Sequence, residues 1–339
     1  MYKNTESSFE DFGLRKDSQI LKNRSVIGNT PMVRIKYKYK NKIKTVFVKL
    51  EYFNLTGSIK DRVAFYIINN AIKKGILKEN APIVEATSGN TGISLSALGS
   101  LYKHPVYIFM PDWVSKERVK LMEIYGAKVF LISKEDGGFK KCVFEAEKFA
   151  KSINGFLANQ FENRDNYLAH YNTTAEEIIN QLSEDIGGFV SGIGTGGTLM
   201  GIGDRLRKKY PNIAITAIEP DSMPLLSKGK IFGSHKIEGI GDEFIPKLVE
   251  KQKIDKVILV NDEDAINMSR KLSKDLGIGV GISSGANLIG SVLLADEIEK
   301  NVVTVFADDN KKYLSTDLFK EPKENEQFIS SKIELLSYD

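Results

Sequence analysis

Five short segments of this chain gather residue types that do chemistry. Gly192 to Thr198 (GIGTGGT) lies between an apolar run and a helical pattern. Glycines there let the backbone approach a ligand, and N–H groups at a helix start favour an anion. The run fits the pattern GxGxxG through Gly192, Gly194 and Gly197, and Glu219 stands where a dinucleotide's ribose partner is expected. Taken alone it suggests a nicotinamide (NAD) dehydrogenase, or a tight turn with no ligand. Thr87 to Gly92 (TSGNTG) offers hydroxyls, an amide and N–H groups to a small carboxylate, although Ser88 or Asn90 could equally cap a helix. Asn54 to Arg62 (NLTGSIKDR) places Lys60 just after a Gly-Ser turn. Desolvation and a positive helix end would lower its pKa as Schiff-base chemistry requires, whereas most lysines are surface charges. Gly281 to Ala286 (GISSGA) presents Ser283 either to a buried heteroatom or as a cap. Glu238 to Pro246 (EGIGDEFIP) is a glycine-hinged loop exposing the carboxylate of Asp242.

Apolar runs alternate with longer amphipathic stretches, and these must position the five segments. Strands are expected at Thr45–Leu50, Ile83–Glu85, Val106–Met110, Phe189–Ile193, Ile213–Ile218 and Val302–Phe306, with helices of about 10–15 residues between them. Thr173 and Thr174, followed by Glu176 and Glu177, predict a helix start. This rhythm argues for βαβ units, mostly parallel sheets, and ligands at the carboxyl ends of strands. A length of 339 residues exceeds a single ordinary core, so two domains with a site between them are expected.

Composition narrows the chemistry. One cysteine, Cys142, and three histidines leave no material for a disulfide framework or a Cys/His metal site. Forty-eight basic against 44 acidic residues give a mild excess without the clustered face that nucleic acid needs, so no nucleic-acid partner is expected. Apolar runs are too short to span a membrane, and residues 1–24 are polar without an apolar core like a signal peptide's. A cytoplasmic protein is the expectation.

Together and in this order, the segments resemble the cysteine synthase and cystathionine β-synthase family of pyridoxal-phosphate enzymes, fold type II. The likeness runs from Gly28–Pro31 (GNTP) to Tyr313–Thr316 (YLST), with agreement at Lys49–Glu51, Asn159–Phe161 and Ala169–Thr174. It implies an α/β fold of two domains, each a mostly parallel sheet flanked by helices, with pyridoxal 5'-phosphate in the cleft between them. The implied division is an arm and strands over 1–50, a mobile smaller domain over 51–158, a cofactor-binding domain over 159–325 and a surface tail over 326–339. Lys60 would carry the Schiff base and move the α-proton. Gly194, Thr195, Gly196, Gly197 and Thr198 would bind the cofactor phosphate, Asn90 the ring hydroxyl and Ser283 the pyridine nitrogen. Thr87, Ser88, Gly89, Thr91, Gln160 and Gly241 would surround the substrate. The implied chemistry is β-replacement on an amino acid through an aminoacrylate, in a homodimer.

One departure from the resemblance is informative. Cysteine synthases usually have a small residue where Asp242 stands, and cystathionine enzymes an aromatic one. A carboxylate there would repel HS⁻ and could take a proton from water or bind a second amino acid's ammonium. The favoured expectation is therefore L-cysteine plus water giving L-serine and hydrogen sulfide, with Asp242 as the base. Cysteine synthesis from O-acetylserine and sulfide is the alternative, followed by cystathionine or lanthionine formation.

Overall fold

The computed structural model describes residues 26–323 and 325–339. Residues 1–24, the polar start of the expected arm, lie outside them. The chain runs β1 (Met32–Tyr39), β2 (Lys42–Leu50), α1 (Lys60–Lys73), β3 (Ile83–Ala86), α2 (Asn90–Tyr102), β4 (Val106–Pro111), α3 (Lys116–Ile124), β5 (Lys128–Ile132), α4 (Gly138–Ser152) and β6 (Phe156–Leu157). It continues with α5 (Arg164–Ala169), α6 (Ala175–Gln181), β7 (Gly188–Gly192), α7 (Gly197–Lys209), β8 (Ala214–Pro220), α8 (Leu225–Lys228), β9 (Lys256–Val260), α9 (Asp262–Leu276), α10 (Ile282–Ile298), β10 (Val302–Phe306), α11 (Ile329–Lys332) and β11 (Glu334–Tyr338).

Two sheets result. The smaller has the order β5-β4-β3-β6 and is parallel throughout. The larger has the order β11-β1-β2-β10-β7-β8-β9, parallel from β2 to β9. Its central strand β10 (VVTVF) is buried at every position, which is why it reads as a continuous apolar run. Each fully buried Val or Phe there contributes about 1.5–3 kcal/mol relative to exposure. Helices cover both faces, so the α/β class with mostly parallel sheets holds.

Three details differ from the expectation or add to it. β1 and β2 form a hairpin closed by Lys40 and Asn41, both at positive φ (47° and 60°), the backbone of a two-residue turn. The stretch expected as a surface tail is instead structural. β11 pairs antiparallel with β1, and Ile333 and Leu335 enter the main core. Its charged composition hid the two buried residues Ile333 and Leu335. Nor does a helix begin at Thr173. Asn163 caps α5 through Asp165 N at 3.0 Å, and a π turn, His170–Thr174, carries the run into α6. Among the described residues no helix is long and apolar enough to cross a membrane.

Candidate active site

Lys60 is the first residue of α1, and its approach is held from several sides. Asp61 accepts from Thr56 N at 2.7 Å and Thr56 Oγ1 at 2.6 Å, closing the turn before it. Ile59 N donates to Ala307 O at 2.8 Å, and Ser58 bridges to Asp308. The turn is thereby clamped to the carboxyl end of β10. Two residues on, Arg62 binds Glu51 through Nε at 2.6 Å and Glu177 through both terminal nitrogens at 2.7 Å. Lys49 adds a 2.8 Å contact to Glu177. Burial lowers the Lys60 pKa, opposed by the charges of Asp308 and Asp242. An amine prepared in this way is a better nucleophile at neutral pH.

The glycine loop leaves β7 and enters α7, with Gly196 as the N-cap residue at φ 86°, a conformation glycine adopts without strain. Thr195 Oγ1 accepts from Asn166 Nδ2 at 2.8 Å, and Thr198 Oγ1 lies 3.2 Å from His170 Nε2. Burial, with the charges of Lys60 and Arg62, lowers the His170 pKa well below its usual value, so this imidazole is neutral. A glycine loop at a helix start can cradle an anion. Glu219 does not fit the ribose role: its carboxylate turns to α8, accepting from Leu226 N and from Ser227 N and Oγ at 3.1 and 2.9 Å. That removes the acidic partner on which the dehydrogenase reading relied.

The third loop leaves β3 and enters α2. The N-cap residues of α2 and α10 are Gly89 and Gly281, and neither helix has a side-chain cap. Asn90 and Ser283 are therefore not consumed by capping. Asn90 donates through Nδ2 to Asp308 at 2.7 Å, while its Oδ1 is buried without a partner. Thr87 Oγ1 accepts from Gly89 N at 3.0 Å. Thr91 donates to Gln160 Oε1 at 2.5 Å, and Gln160 Nε2 donates to Ala86 O at 2.9 Å. Beneath them Glu85 accepts from Gln160 N at 3.0 Å and Ala86 N at 2.7 Å, and burial pushes its carboxyl up to about 8.

These loops meet at one cleft. Lys60, Thr87, Ser88, Asn90, Thr91, Gln160, Gly194, Thr195, Gly196, Thr198, Asp242 and Ser283 all line it. Gly89, Gly197 and Gly241 lie in the same loops without lining the cleft. Asp242 faces this space, where burial pushes its carboxyl up to about 6; nearby Lys60 opposes the shift and Glu243 adds to it. Arg118 and Glu238 also line the cleft, and Asp308 stands just behind Asn90. Sequence reasoning missed Arg118 and Asp308, and took Glu238 only as the start of a loop. The acidic pair Asp308-Asp309 just beyond the carboxyl end of β10 was a usable signal. Among the described residues no group of three or more His, Cys, Asp or Glu could hold a metal.

The donor set fits a phosphorylated pyridine aldehyde. It combines an anion cradle, a buried lysine of lowered pKa, an unpartnered amide oxygen and a serine at a helix start. Such a fold and site define an enzyme that works through an organic cofactor held between two sheets. The family model described as pyridoxal-phosphate dependent enzyme matches residues 24–308, and the chain belongs to that family. It is similar to cysteine synthase B of Campylobacter jejuni, 43% identical over 296 residues, covering 87% of this chain and 97% of that one. The probable cysteine synthase of Bacillus subtilis is 40% identical over 303 residues, covering 87% and 96%. Among solved structures, a hydrogen sulfide-producing enzyme from Fusobacterium nucleatum superposes with a TM-score of 0.90 at 49% identity, covering 94% of this chain and 96% of that one. The chain is a pyridoxal-phosphate-dependent, β-replacing enzyme of the cysteine synthase kind.

Proposed function

We propose that this enzyme converts L-cysteine and water to L-serine and hydrogen sulfide, with Asp242 drawing the proton from the attacking water. The observation that carries the reading is a carboxylate lining the cleft with Lys60, its pKa about 6. At neutral pH it is mostly ionised and basic enough to accept a proton. A structural relative at 49% identity produces hydrogen sulfide, which supports the same direction.

Lys60, Asn90, Ser283 and the loop Gly194–Thr198 hold the cofactor in this reading, which supplies an electron sink for the α-carbon when bound. Thr87, Ser88, Gly89, Thr91 and Gln160 hold the substrate carboxylate, with Gly241 at the side where the nucleophile arrives. Lys60 Nζ takes the α-proton. The C–S bond breaks and sulfide leaves as HS⁻. Asp242 takes one proton from water as the new C–O bond forms, and Lys60 returns its proton to the α-carbon. The Asp242 proton leaves with HS⁻ as hydrogen sulfide, so the sequence closes on the starting protonation states.

The second reading is cysteine synthesis from O-acetylserine and sulfide, favoured by the names of the curated relatives. Cystathionine or lanthionine formation follows, with Asp242 binding the second amino acid's ammonium. A homodimer working in the cytoplasm belongs to the same proposal.

The test is Asp242→Asn assayed with L-cysteine. Loss of one general base predicts serine formation reduced by about 100-fold or more. Serine and sulfide formed at the unaltered enzyme's rates would sink the assignment.

A further inference from the structure

Asp242 lies in a stretch of loop that is held on both sides, and the two sides rest on different sheets. Before it, Gly241 N donates to Ile193 O at 2.8 Å, just beyond β7, and Gly241 O accepts from His235 Nε2 at 2.6 Å. A Cβ on Gly241 would stand 2.8 Å from Pro220 Cγ at the end of β8, so this side sits close against the larger sheet. Ile240 beside it is buried in that sheet's core. After Asp242, the Phe244 ring packs against two rings of the smaller sheet's layer. Its centroid is 5.1 Å from that of Phe161, edge to face, and 6.4 Å from that of Phe139, nearly parallel. Phe139 and Phe161 themselves meet edge to face at 5.5 Å. Phe139 belongs to α4, which packs on β3 and β4, and Phe161 follows β6 and lines the cleft beside Gln160. Between the two anchors stand Asp242 and Glu243 alone.

Aromatic rings in edge-to-face or offset contact hold a preferred geometry and bury a large apolar area. Three of them tie the chain after Asp242 more firmly than the exposed 2.6 Å pair of Lys247 with Glu162, which water and salt weaken. We propose that Phe244 is a positioning residue: seated against Phe139 and Phe161, it transmits the position of the smaller sheet to Asp242. When the smaller sheet closes on a bound amino acid, Phe244 moves with it while Gly241 stays. The two residues between them then turn, and the carboxylate is brought to the reacting carbon. The inference rests on the reading of L-cysteine as donor and water as nucleophile. It adds a reason for fidelity. With the ring gone, Lys60 still takes the α-proton and sulfide still departs, but the unsaturated three-carbon species that remains escapes before water adds at its β-carbon. It then hydrolyses in solution, so that cysteine plus water gives pyruvate, ammonia and hydrogen sulfide instead of serine and hydrogen sulfide.

The experiment uses the cofactor-loaded enzyme and its Phe244→Ala, Phe139→Leu and doubly substituted variants, with serine, pyruvate and sulfide all quantified from L-cysteine. Phe244 is half-buried and on a loop, so this variant keeps the test alive if the buried Phe139 cannot be replaced. The serine-to-pyruvate ratio is expected to fall at least about fivefold in Phe244→Ala while sulfide release stays within about twofold. Loss of folded enzyme alone would lower both products together and leave the ratio unmoved. Phe139→Leu should lower the ratio in the same direction. The double variant should be no worse than Phe244→Ala, because both act through one contact. A ratio in Phe244→Ala equal to that of the unaltered enzyme, or a double variant in which the two losses multiply, overturns the proposal. If the unaltered enzyme releases no sulfide from cysteine, the functional reading fails instead. The cysteine-to-pyruvate ratio from O-acetylserine and sulfide then decides the role of Phe244 by the same criteria.

Discussion

At the residue scale, Asp242 and Lys60 explain each other. Burial raises the carboxyl and lowers the amine, and each one's charge partly opposes the other's shift. Because the base acts unprotonated, serine formation by the unaltered enzyme should fall about tenfold per pH unit below about 6. A pH profile of serine formation that stays flat down to pH near 4 would contradict this. The same shift bears on stability. A carboxyl raised from 3.8 to about 6 favours the fold fully below the lower value and loses that contribution as pH rises through the upper one. Asp242→Asn should therefore gain about 1 kcal/mol near pH 8 and nothing below about pH 4, as read by denaturant melts. Residues of this kind were visible as candidates because glycines or small hydroxyl residues punctuate the sequence around them. Arg118 was not visible, since nothing in Lys116–Lys120 separates a cleft-lining arginine from a surface one. Glu85 left a faint signal, a lone acid inside the apolar strand IVEA.

At the scale of elements, the start of α1 is fixed by ions from three other places. Glu51 follows β2, Lys49 lies in β2, and Glu177 belongs to α6. Burial pushes the Glu177 carboxyl up, but Arg62 and Lys49 together overcome this and bring it down to about 2. The sign is that of a depressed acid: its stabilisation is present above the ordinary value of 4.5 and is lost as pH falls through about 2. Glu177→Gln is expected to cost about 2–3 kcal/mol at neutral pH, with the difference closing toward pH 2. Equal midpoints at pH 7 would show that the network does not hold α1. The positions of most helices and strands followed from period and punctuation. The π turn at His170–Thr174 did not, because Thr-Thr before two glutamates is also a helix-start signature.

At the scale of the whole molecule, the larger sheet begins with the last strand of the chain. β11 lies outside β1, and the side chain of Ile333 just before it is 1% exposed. Asp264 on α9 ties this end down by accepting from Ile329 N and Ser330 N, each at 2.8 Å. Ile333→Ala should cost about 2–4 kcal/mol, measured as a fall in the unfolding midpoint; a surface tail would show no change. Sequence reading failed here for a definable reason. A short edge strand among lysines and glutamates is stabilised by its partner β1, and that partner is 300 residues away. The order of loops along the chain, by contrast, carried the site: helix-entry loops gather at the carboxyl ends of parallel strands wherever those strands fall in the sequence.

The central claim is that water is the nucleophile and L-cysteine the donor. Its most direct test is the loaded enzyme with L-cysteine in water enriched in heavy oxygen, followed by mass analysis of the amino-acid product and assay of sulfide. The expected product is L-serine carrying solvent oxygen in its side chain, formed in equal amount with hydrogen sulfide. Sulfide released without labelled serine, or turnover only with O-acetylserine and sulfide, would contradict it.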